Sequence, residues 1–135
     1  MREIFADSFY WIALANPNDQ CHRAASEFSK ANDEATLVTT DEVLVEFLNY
    51  FAEAGERTRG VVVQMCGQVM SHPRILVQPQ SRESFVTGLS FYQERLDKGY
   101  SMTDCISILA MRERNVADVL THDHHFAQEG FTVLL

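Results

Sequence analysis

The sequence predicts an α/β fold, with a central, mostly parallel five-stranded sheet flanked by helices. Short apolar runs recur along the chain at Ile4 to Ala6, Thr36 to Thr39, Ile75 to Val77, Val119 to Thr121 and Thr132 to Leu134. Longer segments with apolar residues at helical spacing separate most of them. The resulting order, β-α-α-β-α-α-β-α-α-β-β, provides the helical crossovers that parallel pairing requires.

Each element has its own signal. Ile4 to Ala6 reads as a buried first strand ending at Asp7. Ser8 then caps a short helix through about Leu14, and Asn16, Pro17 and Asn18 break it. Asp19 starts a second helix through about Ala31, with Cys21, Ala24, Ala25 and Phe28 at helical spacing. After strand two, Thr39 and Glu42 have capping-box spacing. Val43, Leu44, Phe47, Leu48 and Phe51 share one face of the helix that follows, and Gly55 ends it. Another apolar helix covers roughly Thr58 to Met70, with Pro73 beyond its end. Past strand three, Ser81 to about Lys98 is helical and Gly99 stops it. Met102 to about Arg114 is apolar on most sides, which predicts a buried helix. No repeat, linker or low-complexity segment interrupts residues 1–135, so the expectation is one domain.

Composition narrows the function classes. A net charge of −8 provides no general basic surface, so nucleic-acid binding would depend on local Arg or Lys groups and on metal. Cys21, Cys66 and Cys105 form no C-x-x-C pair and are odd in number, which argues against a disulfide framework or a zinc knuckle. A reduced, cytoplasmic setting is the simplest expectation. The run from Phe9 to Ala15 is too short for a signal peptide, and Glu3 and Asp7 lie where positive charge belongs. No uncharged run approaches the ~20 residues of a membrane span. The glycines make neither G-x-G-x-x-G nor a P-loop, and no G-x-S-x-G elbow exists. Phe9 occupies the position where a phosphoaspartate phosphatase needs its second aspartate.

Asp7, Glu46, Asp104 and Asp123 sit where strands should end or helices begin. Carboxyl ends of parallel strands gather at one edge of the sheet, where α/β folds carry their sites. Converging carboxylates repel each other unless a cation is present, and hard divalent cations take oxygen ligands. The chemistry this suggests is metal-assisted phosphodiester cleavage. Each acid also has a plainer reading. Asp7 could be a turn or N-cap residue. Glu46 lies off the apolar stripe of its helix and reads from pattern alone as solvated. Asp104 has capping-box spacing from Ser101. Asp123 could be a simple turn aspartate, and Asp118 is assigned to a turn before strand four.

"FADS" at the first strand end, Glu46 in the helix after strand two, "TD" opening a late helix and "LTHDHHF" after strand four together resemble the PIN domain. PIN domains are small metal-dependent ribonucleases, and free-standing members of this size are mostly VapC-type toxins. The resemblance spans Asp7 to Asp123. It implies a five-stranded parallel sheet and an acidic pocket holding Mg²⁺ or Mn²⁺. It assigns the family's four acids to Asp7, Glu46, Asp104 and Asp123, and its small hydroxyl residues to Ser8 and Thr121. It further implies an RNA substrate and a cognate antitoxin whose basic side chain lies across the acidic pocket. The apolar helices from Val43 onward suggest a homodimer as well. Arg112 and Arg114 are candidates for guiding the RNA backbone. His122, His124 and His125 depart from the family pattern; they could prefer a softer metal or hold phosphate. Competing expectations are an RNA-processing or DNA-directed nuclease without antitoxin, and a non-catalytic PIN-like binding module.

Overall fold

The computed structural model describes residues 2–135. In chain order the elements are β1 (Glu3–Ala6), α1 (Ser8–Ala15), α2 (His22–Ala31), β2 (Thr36–Thr40), α3 (Asp41–Tyr50) and α4 (Glu56–Ser71). They continue with β3 (Ile75–Gln78), α5 (Arg82–Glu94), α6 (Met102–Arg114), β4 (Asp118–Leu120), α7 (His125–Gln128) and β5 (Thr132–Val133). The strands form one sheet in the order β3-β2-β1-β4-β5, and every pairing is parallel. The first connections build outward from β1 to β2 and β3. The chain then returns to the other side of β1 for β4. Strand order therefore reverses between β1 and β4, the place where open α/β sheets form a crevice at their carboxyl ends.

Helices cover both faces of the sheet, so its central strands are apolar throughout rather than alternating. Ile4, Phe5, Ala6, Val38, Val119 and Leu120 are fully buried. The apolar character of α6 has the predicted consequence: Cys105, Ile106, Ile108, Ala110 and Met111 are all buried. Burying one side chain of that size stabilises the fold by about 1.5–3 kcal/mol. Helices α5 and α6 approach closely at Gly88, where an added Cβ would meet Ile106 Cγ1 at 2.8 Å. On α3 and α4, Val43, Leu44, Phe47, Val62, Cys66 and Val69 are buried, while Val45, Tyr50, Val61, Val63 and Met70 are exposed.

Several boundaries differ from the sequence reading, each for a local reason. Ser8 is not the cap of α1: Asp7 takes the N-cap position, and neither side chain caps the helix, because both are engaged elsewhere. The cap of α3 is Thr40 rather than Thr39; Thr40 Oγ1 accepts the Val43 N–H at 3.1 Å. Thr39 is committed to the core, donating to the Ala6 carbonyl at 2.9 Å. Gly55 (φ 93°) does not end α3 but precedes α4 as its N-cap, a conformation that favours glycine. The second helix begins at His22, after a turn in which Asp19 Oδ1 accepts the Cys21 N–H at 2.8 Å. Asp118 is not a turn residue; it opens β4 and pairs with Arg2 at 3.0 Å. Helix α7 had no counterpart in the sequence reading. No described helix is long and apolar enough to cross a membrane.

Candidate active site

Asp7 continues β1 one residue past its end. Its N–H donates to the Leu120 carbonyl at 3.2 Å, extending the β1–β4 ladder. Asp7 and Thr121 therefore emerge side by side, and the Thr121 hydroxyl donates to Asp7 Oδ2 at 2.8 Å. Asp7 is only 2% exposed, and its second oxygen, Oδ1, is buried without a hydrogen-bond partner. Desolvation pushes the Asp7 pKa up to about 7, against the bonds from Thr121 and the Ser8 N–H; the charges of Glu46 and Asp104 raise it further.

Ser8, the first residue of α1, donates its hydroxyl to Glu46 Oε1. Helical periodicity alone leaves Glu46 in solvent, but α1 and α6 both pack against α3 and close over that side. Glu46 is half-buried as a result. Desolvation raises its pKa, the Ser8 bond lowers it, and Asp104 and Asp123 raise it again.

Asp104 begins α6 and fulfils the capping-box reading. Its Oδ2 accepts the Ser101 N–H at 3.0 Å, and Ser101 Oγ accepts the Asp104 N–H at 3.0 Å. The cap occupies Oδ2 and leaves lone pairs to spare, so capping and ligation are compatible. Asp123 follows β4. Its N–H donates to Thr121 Oγ1 at 3.1 Å, and its Oδ1 accepts the His125 N–H at 2.9 Å. Thr121 thus ties Asp7 and Asp123 together through one hydroxyl.

All four acids that the sequence singled out come together at the carboxyl edge, close enough for their charges to act on one another. The sequence reading gave His125 no separate role. Its Nδ1 lies 3.2 Å from Asp123 Oδ1 and 3.3 Å from Asp104 Oδ2, and one donor atom from each of the three residues lies within 4.8 Å of the others. The neighbouring histidines differ. His122 Nε2 sits 3.2 Å from Cys21 Sγ, and His124 is exposed. Nothing in "THDHHF" distinguishes the three; only the turn into α7 does.

Arg112 and Arg114 do not join the cluster. Arg112 Nη2 binds Glu129 Oε1 at 2.8 Å, and Arg114 Nη2 binds Glu3 Oε2 at 3.1 Å. Glu3 starts β1, so Arg114 lies at the opposite edge of the sheet, because α6 runs away from the site toward its carboxyl end. Both guanidiniums are ion-paired and partly exposed outside the acidic cluster, and guiding RNA stays an expectation for them.

A buried carboxylate oxygen without a donor, with further carboxylates near enough to raise its pKa, is costly in its charged form unless a proton or a cation joins it. The donor set is mainly carboxylate oxygen, which fits a divalent metal ion.

No protein-family model matches the chain, and no curated protein sequence matches it significantly. Solved structures do. VapC20 of Mycobacterium tuberculosis, described as a sarcin–ricin-loop-cleaving toxin, superposes with a TM-score of 0.81 at 21% identity, over 96% of each chain. PAE2754 of Pyrobaculum aerophilum gives 0.63 at 16% identity, over 98% of this chain and 89% of its own. FitAcB of Neisseria gonorrhoeae gives 0.63 at 13% identity, over 98% and 96%. At these identities the likeness bears on the fold, and it bears out the resemblance read from the sequence: this chain has the fold of the VapC-type PIN domain.

Proposed function

We propose that this chain is a metal-dependent endoribonuclease and the toxin of a toxin–antitoxin pair. The observation that carries the reading is the approach of Asp7, Glu46, Asp104 and Asp123 near enough for their charges to interact, with one Asp7 oxygen buried and unpartnered. The fold shared with VapC20, described as a sarcin–ricin-loop-cleaving toxin, supports the same reading.

Asp7 and Asp104 would hold the principal Mg²⁺ or Mn²⁺ ion. Glu46 would hold the same ion or orient the attacking water, and Asp123 would serve a second ion or a water beside the first. When bound, the ion supplies a lowered water pKa and offsets charge building on the phosphate and the leaving oxygen. The chain's own contribution is orientation. Thr121 fixes Asp7 through Oδ2 and so leaves Oδ1 free. Ser8 fixes Glu46, and the Ser101 box fixes Asp104 at the start of a buried helix. Helices α3 and α6 supply Glu46 and Asp104, and Asp7 is held directly between β1 and α1, which limits the motion the site must overcome.

A negatively charged pocket on an acidic protein also suits a partner segment that brings Arg or Lys across it. An antitoxin of that kind would neutralise the carboxylates in place of metal. The exposed apolar side chains on α3 and α4 are consistent with a homodimer. The test is incubation of purified protein with single-stranded RNA. Cleavage with Mg²⁺ or Mn²⁺ that EDTA abolishes supports the reading. Absence of cleavage with either ion, across RNAs that include structured ribosomal loops, would favour a non-catalytic binding module.

A further inference from the structure

His125 is built into the acidic cluster. Its N–H is bonded to Asp123, and its ring packs on Tyr100 at 5.1 Å between centroids, tilted by 56°. Tyr100 is itself fixed, donating its hydroxyl to Glu129 Oε2 at 2.8 Å, and Arg95 and Arg112 hold Glu129 from other sides. The imidazole therefore has a braced orientation, with Nδ1 directed at Asp104 and Asp123. Its separations of 3.2 and 3.3 Å from those oxygens match adjacent ligands on one small ion. Octahedral ligands at about 2.0–2.1 Å from an ion lie about 3 Å from each other. A second feature points to the same ligand: Asp7 Oδ1, buried and unpartnered, belongs to a carboxylate close enough to Asp104 for their charges to interact.

We propose that His125 Nδ1 ligates the site's ion together with Asp104 and Asp123, and that this nitrogen makes the site favour a first-row transition ion such as Mn²⁺ over Mg²⁺. The inference rests on the metal-dependent nuclease reading above, refines which ion serves it, and moves Asp123 from a second ion or water onto the ion that Asp104 holds. Mg²⁺ is a hard ion that keeps oxygen ligands and water. An imidazole nitrogen adds affinity for transition ions and little for Mg²⁺. Ligation through Nδ1 leaves the ring proton on Nε2, the tautomer that neutral imidazole can adopt without further change. His122 and His124 take no part, since one is engaged with Cys21 and the other is exposed.

Mn²⁺ and Mg²⁺ are titrated separately into metal-free wild type, His125→Ala, His125→Gln and Asp104→Asn, by calorimetry and, for Mn²⁺, by pulsed EPR. The expected wild-type spectrum shows nitrogen hyperfine coupling, which both His125 variants lose. Mn²⁺ affinity should fall at least about tenfold in those variants, while Mg²⁺ affinity changes less than about threefold. Wild-type Mn²⁺ bound without nitrogen coupling overturns the inference, and because that spectrum needs no variant, a misfolded substitution does not protect it. Equal losses of Mn²⁺ and Mg²⁺ affinity overturn it too, since the ring would then only position Asp123. If Mn²⁺ binds without nitrogen coupling yet still requires Asp104, the inference fails and the nuclease reading stands. If wild type binds neither ion, both fail.

Discussion

Replacing Asp7 by Asn should stabilise the metal-free protein at alkaline pH. Asp7 has a pKa of about 7 in the fold against 3.8 as its ordinary value, so the folded chain holds this proton more tightly than the unfolded chain does. With the folded pKa raised, the associated stability is fully present below about pH 4 and is lost as pH rises to about 7. The sign follows from proton counts: between those values the native state binds more protons, so unfolding becomes easier with rising pH. A tenfold difference in proton affinity is worth about 1.4 kcal/mol, so the penalty approaches about 4 kcal/mol well above pH 7, and about 2–3 kcal/mol of it develops between pH 5 and 8. An asparagine in this place carries no charge, and its amide oxygen can still accept the Thr121 hydroxyl. Its NH₂ group, left where Oδ1 was unpartnered, costs about 1–3 kcal/mol at every pH. The difference in pH dependence is therefore cleaner than the absolute gain. Urea unfolding in EDTA at pH 5 and pH 8 measures it. Wild type should lose about 2–3 kcal/mol relative to Asp7→Asn across that interval. Saturating Mn²⁺ or Mg²⁺ at pH 8 should reverse the order, adding about 2.7 kcal/mol to wild type at 100 times the dissociation constant. Parallel pH profiles in the two proteins would refute the claim that Asp7 is a strained, buried carboxylate.

Thr121→Val should remove the donor to Asp7 and the acceptor for the Asp123 N–H, weakening divalent-ion affinity by about 10–100-fold, as calorimetry would show. Ile108→Ala, in the fully buried centre of α6, should lower unfolding free energy by about 2–5 kcal/mol in urea without changing metal affinity per folded molecule. Co-expression with an adjacent short reading frame should give a complex that co-elutes on size exclusion and no longer cleaves RNA. Separate elution with unchanged cleavage would turn the reading toward a solitary processing nuclease.

Much of this fold was legible because its signals are local. The bounds of α6 follow from the Ser101–Asp104 box and from an apolar run that only a buried helix tolerates. The ends of β1 and β4 follow from apolar runs closed by polar residues, and that brings Asp7 and Asp123 to one edge. The misreadings arose where tertiary contacts decide. Thr39 and Thr40 have equal capping chemistry, and only the Ala6 carbonyl across the sheet separates them. Helix α7 is four residues long and its N-cap position makes no side-chain cap bond, so periodicity could not reveal it. Glu46 is solvated on a helical wheel; packing of α1 and α6 against α3 brings it to the other acids, and only the family resemblance anticipated that. Arg112 and Arg114 illustrate the reverse case. Their charges suggested RNA, and nothing in the sequence signals that each pairs with a glutamate, Glu129 and Glu3, outside the acidic cluster.

The most direct measurement is the rate of RNA cleavage by Asp104→Asn under saturating Mn²⁺. Asn can still accept the Ser101 N–H, so helix α6 should keep its cap and the protein its fold. If Asp104 holds the catalytic ion, and that ion contributes several kcal/mol to the transition state, the rate should fall at least ~100-fold while unfolding remains cooperative. A folded Asp104→Asn protein that cleaves at close to the wild-type rate would contradict the account.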